Sequence, residues 1–346
     1  MTKLSQLLEC ISKKVVFIQT HNYPDQDALA SAQGLKILLE HFGKQAIICY
    51  KGQIDKYNTI KMIELLHMDI TPAESIEFRP DDETILVDCQ HGNSNVKSYS
   101  GRVIACIDHH KIQDTTHYMF HDIRPDVGAC ATIIADYFYE NGISMDPLMA
   151  TTFSYAIKMD TNMLSRGISE LDLQVYCKLF PLSDQSILRQ LDSCNLKLKD
   201  LLSYHYAIEN LRLYKNVALV DVGNNCSEAM LGQISDFILT LREVDFVLSH
   251  TFRDNGLKFS ARSSSKYIDA SMVIRHALST FGDGGGHSTM AAGFIPNVAN
   301  ENVVSTIANI ADERAIAYIG ELLDWPKEKK IKSRKHKTLP TVWEQQ

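Results

Sequence analysis

The triplet Asp108-His109-His110 closes an apolar run, Val103-Ile104-Ala105-Cys106-Ile107. Such a run reads as a buried strand, and an acid with two imidazoles is a poor way to fill a core. It is a good way to hold a metal where a sheet opens to solvent. Three more polar segments stand at the ends of apolar stretches. They are His21-Asn22-Tyr23-Pro24-Asp25-Gln26-Asp27, Asp88 after Ile85-Leu86-Val87, and Asp160 after Phe153-Ser154-Tyr155-Ala156-Ile157. Carboxylates with one or two imidazoles suit Mn2+, Mg2+ or Fe2+ better than thiolate-seeking metals. The set is too large for one ion and sufficient for two if one carboxylate bridges. Paired ions about 3.5–4 Å apart lower the pKa of a shared water and draw charge from phosphoryl oxygens. Asp25 and Asp27 lie two residues apart in one loop and can each face a different ion. Pro24 stiffens that loop. Each acid alone has a simpler role: Asp25 or Asp27 as a helix N-cap, Asp88 as a solvated strand end, Asp160 as a cap. Convergence of all four segments on one sheet edge argues for the site.

The elements that must carry these residues alternate. Val15–Thr20, Ala46–Tyr50, Thr84–Cys89 and Val103–Ile107 read as strands. Helices are expected over Ala28–His41, Ala129–Glu140, from Pro147, and over Ile168–Leu179. Leu4, Leu7, Leu8 and Ile11 fit one face of a short N-terminal helix. This order implies βαβ units and a mostly parallel sheet. In such sheets ligands gather at the C-terminal strand ends.

Residues 184–214 look polar and helical, with no strand signal. A second α/β domain then starts with Val217–Val222 and continues with helix Ser227–Leu241. Strands Val244–Phe252 and Leu257–Arg262 flank the turn Asp254-Asn255-Gly256. A helix over Asp269–Thr280, a glycine run, a short strand near Gly293–Ile295 and a helix over Glu301–Ile319 complete it. The run Gly284-Gly285-Gly286 before His287 would let backbone N–H groups approach an anion. Arg262-Ser263-Ser264 would add a guanidinium fork and hydroxyls. The simpler readings are a Gly-rich turn and a solvated strand end.

At 346 residues the chain has room for two domains with ample core. A net charge of −7 argues against a bulk nucleic-acid binder. The positive charge is concentrated late: Lys327–Lys337 holds seven Lys/Arg against one Glu and reads as a disordered tail. The eight cysteines form no C-x-x-C pair, which fits a reducing cytoplasm and excludes a zinc ribbon. No stretch of 18 apolar residues occurs, so no membrane contact is expected.

In these motifs the sequence resembles the DHH phosphoesterases, over about residues 15 to 320. The matching residues are His21-x-x-x-Asp25-x-Asp27-Ala28, Asp88, Asp108-His109-His110 and Asp160-Thr161. Gly284-Gly285-Gly286-His287 is similar to the signature of the associated DHHA1 domain. The form of the motifs resembles stand-alone two-domain members such as nano-RNA hydrolases and dinucleotide phosphodiesterases. The resemblance implies a mostly parallel catalytic domain at 1–183, a helical linker at 184–214, a smaller α/β DHHA1 domain at 215–325 and a basic tail at 326–346.

It further implies two divalent metals, usually Mn2+. His21, Asp25 and Asp88 would hold one; Asp27, Asp88, His109 and Asp160 the other. His110 would meet the substrate phosphate and Asp108 would orient an imidazole. Arg262, Ser263, Ser264, Gly285, Gly286 and His287 would clamp the far end of the nucleotide. Asp88 is followed by Cys89-Gln90-His91, where some branches carry a second aspartate, and Asn162 stands where many have glycine. The expected activity is a two-metal, cytoplasmic hydrolase of short oligoribonucleotides or dinucleotides that releases mononucleotides; related folds often form homodimers. The alternatives are a phosphomonoesterase of phosphoadenosine-phosphate type, an exopolyphosphatase, or a nucleotide sensor that binds without cutting.

Overall fold

A computed structural model describes residues 1–54, 56–93, 95–97, 99–193, 196–298 and 301–326. The basic tail from Lys327 lies outside the described residues. The chain divides into two compact units, Met1–Asn195 and Leu196–Gln346.

The first unit begins with α1 (Lys3–Cys10), β1 (Val15–Gln19), α2 (Gln26–His41), β2 (Gln45–Tyr50), α3 (Tyr57–Leu65) and β3 (Ile70–Pro72). It continues with β4 (Glu83–Val87), β5 (Arg102–Asp108), β6 (Phe120–Ile123), α4 (Cys130–Glu140), α5 (Pro147–Asp160), α6 (Glu170–Leu179) and α7 (Gln185–Asp192). The strands form one sheet in the order β3-β2-β1-β4-β5-β6, with every neighbouring pair parallel. The mostly parallel sheet expected for this half is thus present. The short strands β3 and β6 extend it at its two edges beyond the strands read from the sequence.

Both faces of the central strands are buried, which is why they read as unbroken apolar runs. Ile85, Val87, Ala105 and Ile107 pack with Leu29, Leu35, Ile133 and Ile134 of the helices. On the other face Leu86 and Cys106 lie with Val96 and Tyr118, and Phe17 and Cys49 with Phe78 and Tyr99. The strand order reverses direction between β1 and β4. That is the switch point at which a parallel sheet opens a crevice beyond its C-terminal ends.

The second unit contains α8 (Asp200–Glu209), β7 (Leu211–Tyr214), β8 (Val217–Asn224), α9 (Glu228–Leu239), β9 (Phe246–Arg253) and β10 (Gly256–Ser263). It ends with α10 (Ala270–Leu278), β11 (Asp283–Gly286), β12 (Met290–Ile295) and α11 (Glu301–Leu322). Its sheet is mixed, in the order β11-β12-β10-β9-β8-β7, with only β8 and β9 parallel. The hairpin between β9 and β10 turns on Asp254 and Asn255, both left-handed at φ 54° and 55°, as a two-residue turn requires.

Two expectations need correction. The connector at 184–214 is not helical throughout: α7 and α8 are followed by β7, an edge strand paired antiparallel with β8. The glycine run is not the Gly-rich turn of the simpler reading. It is the edge strand β11, paired with β12 from Asp283 to Gly286.

At the N-terminal end of β4, Glu83 is fully buried. Its carboxylate accepts from Ser12 N at 2.9 Å, Ser12 Oγ at 2.6 Å and Lys13 N at 3.0 Å, and from Arg102 Nη2 at 3.2 Å. It thereby fastens the α1–β1 link to the centre of the sheet. Burial alone would raise its pKa, but the bonds from Ser12 and Lys13 outweigh burial and hold it below the usual carboxylate range. Arg102 is largely exposed and adds little. A lowered folded-state pKa contributes stability above the ordinary glutamate pKa, and the contribution fades as pH falls through the folded value. Glu83→Ala should lower unfolding stability by about 3 kcal/mol, since it removes three hydrogen bonds, each worth about 1 kcal/mol, to a buried carboxylate. Urea denaturation at pH 7 checks this, and the deficit should shrink as the pH is taken below 4.

Candidate two-metal centre

Each acid of the site arrives by a different element. The loop after β1 supplies His21 and Asp25, and Asp27 opens the first turn of α2. Asp88 follows β4 directly, with a left-handed φ of 59° that ends the strand. Aspartate tolerates this conformation better than a branched residue would. Asp108 ends β5, His109 and His110 follow, and Asp160 ends α5.

These residues meet. His21 Nε2 is 3.9 Å from Asp25 Oδ1 and 3.6 Å from Asp88 Oδ2. His109 Nε2 is 3.4 Å from Asp88 Oδ1, 3.4 Å from Asp160 Oδ2 and 3.9 Å from Asp27 Oδ2. His21, Asp25 and Asp88 thus form one group of donor atoms, and Asp27, His109 and Asp160 a second, each set within 4.8 Å of one another. Asp88 turns one oxygen toward each group. A third set, Asp88, His109 and His110, joins them.

The donor set fits divalent ions. Asp88 Oδ1 is buried and accepts no well-directed hydrogen bond, although His109 Nε2 stands 3.4 Å away. An orphaned carboxylate oxygen in such a place is costly without a cation. The imidazoles are set as ligands. His21 Nδ1 lies 2.9 Å from Asn22 O and His109 Nδ1 lies 3.1 Å from Val127 O. A carbonyl only accepts, so each Nδ1 carries the hydrogen and Nε2 faces the carboxylates.

Asp108 stands behind the donors and is fully buried. Its Oδ1 accepts from His110 Nδ1 and from His109 N, both at 2.8 Å. Its Oδ2 accepts from Gln90 Nε2 at 2.7 Å. Asp108 therefore orients the His110 ring, and Gln90 orients Asp108. Gln90 stands two places after Asp88, in the segment where the sequence departs from many related proteins. Asp25 combines two roles: it caps α2, accepting from Asp27 N and Ala28 N, and it belongs to the first donor group. After Asp160 the chain turns through Asn162, Met163 and Leu164, all left-handed. Asparagine suits that conformation, whereas Met163 and Leu164 hold it under strain.

The electrostatics reflect crowding. Burial, then the charges of Asp88 and Asp160, push Asp27 well above the usual carboxylate range. Burial, with Asp25 and Asp88 next to it, raises Asp160 to about 6. Burial would lower His21, but Asp25 and Asp88 lift it to about 9. His109 also rises, Asp88 and Asp160 outweighing burial.

The expected substrate clamp separates into two parts. Arg262 is only 7% exposed. Its Nε donates to Asp236 Oδ1 at 2.7 Å and its Nη1 to Ser260 Oγ at 2.9 Å and Ala261 O at 3.0 Å. This guanidinium holds α9 to β10 and is not an open fork. Ser263 is buried and donates to Ile268 O, while Ser264 is exposed and donates to Asp245 O. The glycine strand is more open. Gly286 has φ 145°, and a Cβ there would lie 2.4 Å from Met290 O. A Cβ on Gly285 would meet only Arg275, at 3.5 Å from Nη2. Packing therefore demands glycine at 286 and not at 285, while His287 follows the strand with its N–H bonded to Met290 O. Arg275 of α10, which the sequence did not single out, is exposed and donates through Nε to Gly284 O at 3.2 Å.

Residues 15–159 match the DHH family, N-terminal domain, and residues 214–317 match the DHHA1 domain. The chain is 31% identical over 287 residues to an uncharacterized protein, MJ1633, of Methanocaldococcus jannaschii, covering 82% of this chain and 58% of that protein. It is 28% identical over 196 residues to a manganese-dependent inorganic pyrophosphatase of the same organism, covering 54% and 61%. Against the cyclic-di-AMP phosphodiesterase GdpP of Bacillus subtilis it is 24% identical over 330 residues, covering 86% and 47%. The chain thus spans about half the length of these relatives. In fold it is similar to an exopolyphosphatase-related protein from Bacteroides fragilis, with TM-score 0.75, 15% identity and coverage of 93% and 97%.

At pH 7 the metal-free His21, at about 9, carries a proton that it must lose to ligate. Mn2+ binding should therefore release protons. Apparent affinity should rise from pH 6 to pH 9, as Asp160 and then His21 deprotonate. Calorimetric titration in two buffers of different ionisation heat measures the release; a value of zero would refute this arrangement of ligands.

Proposed function

Because the chain belongs to the DHH/DHHA1 phosphoesterase family, we propose that it hydrolyses phosphodiester bonds in short oligoribonucleotides or dinucleotides, releasing mononucleotides. The observation that carries this reading is Asp88, with one oxygen toward each of two imidazole–carboxylate groups. Two divalent ions, Mn2+ first among them, would activate a water and withdraw charge from the phosphoryl oxygens. His21, Asp25 and Asp88 would hold one ion and Asp27, Asp88, His109 and Asp160 the other. His110, kept in place by Asp108 and partly open to solvent, would donate from Nε2 to the substrate phosphate.

Support for a nucleotide, as against pyrophosphate, comes from the second unit. The likeness to the cyclic dinucleotide phosphodiesterase runs through both units, whereas the pyrophosphatase match spans 196 residues. Gly285 offers backbone that nothing in the fold requires to be bare, and Arg275 lies beside it. These two, with Gly286 and His287, are the proposed contacts for the non-reacting part of the nucleotide, and Ser264 is retained among them as an exposed hydroxyl. Arg262 and Ser263 are proposed instead to hold this surface in shape. Among the described residues no helix is long and apolar enough to cross a membrane, and the free cysteines there suit the cytoplasm proposed as its location.

The test is product analysis with Mn2+ over dinucleotides, cyclic dinucleotides, phosphoadenosine phosphate, longer RNA and polyphosphate. Mononucleotides from dinucleotide are expected. Inorganic phosphate as the sole product would overturn the reading in favour of a phosphomonoesterase or polyphosphatase, and tight binding without turnover in favour of a sensor. Asp88→Ala should lower kcat at least about 1000-fold, the upper end of what losing a single charge-stabilising donor costs. Arg275→Gln should raise KM for dinucleotide about tenfold, the worth of one charge-assisted hydrogen bond. It should leave hydrolysis of bis-nitrophenyl phosphate, which has no second nucleotide, unchanged.

A further inference from the structure

Asp172 of α6 is fully buried and carries no ion pair among the described residues. Its Oδ2 accepts from Ser169 N at 2.7 Å and Ser169 Oγ at 2.5 Å, while its own N–H donates to Ser169 Oγ at 3.1 Å. Those contacts are a capping box, and a cap needs nothing more. The same carboxylate also reaches across the fold. Oδ2 accepts from Gly128 N at 2.8 Å and Oδ1 from Thr132 Oγ1 at 2.5 Å. It thus spans the segment from 128 to 132, at the entry to α4.

Residues 127–131 hydrogen-bond two members of one donor group and lie beside the neighbour of the third. Val127 O receives the Nδ1 hydrogen of His109. Cys130 N and Ala131 N, at the N-terminus of α4, donate to the two oxygens of Asp27 at 2.7 and 2.8 Å. Asp160 is tied in through its neighbour Thr161: a Cβ on Gly128 would lie 2.8 Å from Thr161 Cγ2, from Gly167 O and from Asp172 Oδ2. Only a glycine lets these three surfaces close on the loop. The other group is built differently. His21 is fixed by Asn22 O and Asp25 by the N-terminus of α2, and among the described residues neither is shown hydrogen-bonded to this loop.

We propose that Asp172 is a positioning residue for the Asp27–His109–Asp160 ion alone, acting through the 127–132 segment. The proposal rests on the two-metal reading above. Removing the carboxylate frees the loop that aims His109 and Asp27, and outer partners of this kind typically change metal affinity by about 10–100-fold. Asparagine could keep these bonds, its Oδ1 accepting from Ser169 and Gly128 and its NH2 donating to the Thr132 hydroxyl, so alanine is the variant that removes them.

The experiment is Mn2+ binding to the full chain, by calorimetry and electron paramagnetic resonance, with unfolding followed in parallel. The wild type should bind two ions with a spin-coupled signal. Asp172→Ala should keep one ion at wild-type affinity, weaken the other about 10–100-fold and lose the coupled signal at low Mn2+. Thr132→Val and Gly128→Ala keep the carboxylate and should do the same; they carry the test if Asp172→Ala does not fold. A merely structural Asp172 would lower the melting temperature without separating the two ions. Unchanged affinities in folded variants, or equal weakening of both ions, overturn the proposal. A wild type that binds no Mn2+ refutes the two-metal reading itself, and this proposal with it.

Discussion

Negative charge gathered at one end of a parallel sheet is the constraint around which the first unit is arranged. Asp27, Asp88 and Asp108 are each no more than 3% exposed. Among the described residues none of them pairs with a lysine or arginine; their ion-pair partners are histidines. Carboxylates taken from water without a cation are strongly disfavoured, and burial, followed by mutual repulsion, raises the pKa of Asp27 and Asp160. A core optimised for stability alone would place apolar residues here. The geometry makes sense if the missing positive charge comes from bound divalent ions, so that the metal-free fold carries a destabilised centre that metal binding relieves.

The fold offsets part of this charge with oriented dipoles, and it does so unequally. Asp25 caps α2, and Asp27 receives two N–H groups from the start of α4, so both stand where a helix end favours an anion. Asp108 receives a backbone N–H, an imidazole and an amide. Asp160 has the opposite setting, since it is the last residue of α5, where the helix dipole repels it. It is also the more exposed ligand of its group, at 22% for the side chain. The donor supported least by the protein is thus the one that depends most on a cation, and the strained turn behind it keeps it there.

Much of this centre was legible in the sequence, for a physical reason. Parallel strands covered on both faces read as apolar runs, so the polar residue that ends each run stands out. His21, Asp25, Asp27, Asp88, His109 and Asp160 were all found that way, and the structure brings them together. What escaped was whatever depends on distant pairing. β6, Phe-His-Asp-Ile, has no run to recognise, and β3 is three residues long. Gln90 and Asp172 act through residues 18 and 44 positions away. The spacing Ser169-x-x-Asp172 signals a cap, but nothing in it signals Gly128.

The second unit shows how a residue of the right type can face the wrong way. Arg262 looked like a phosphate fork because it ends a strand beside serines. In β10 it shares a face with Ser260, under α9, where Asp236 lies 26 positions back in sequence. A buried guanidinium whose Nε and Nη1 already donate to protein acceptors has little left to give a ligand. The glycines escape this problem because they have no side chain to be drawn inward. Gly286 is fixed by its backbone angle and its closeness to Met290, whereas Gly285 is not. In the nucleotide contact proposed above, Gly285 is a bare position without a packing reason, beside an exposed arginine at the sheet edge. Arg262 and Arg275 thus differ in burial and not only in bonding: the first is enclosed under α9, whereas the second, though its Nε donates to Gly284 O, is exposed.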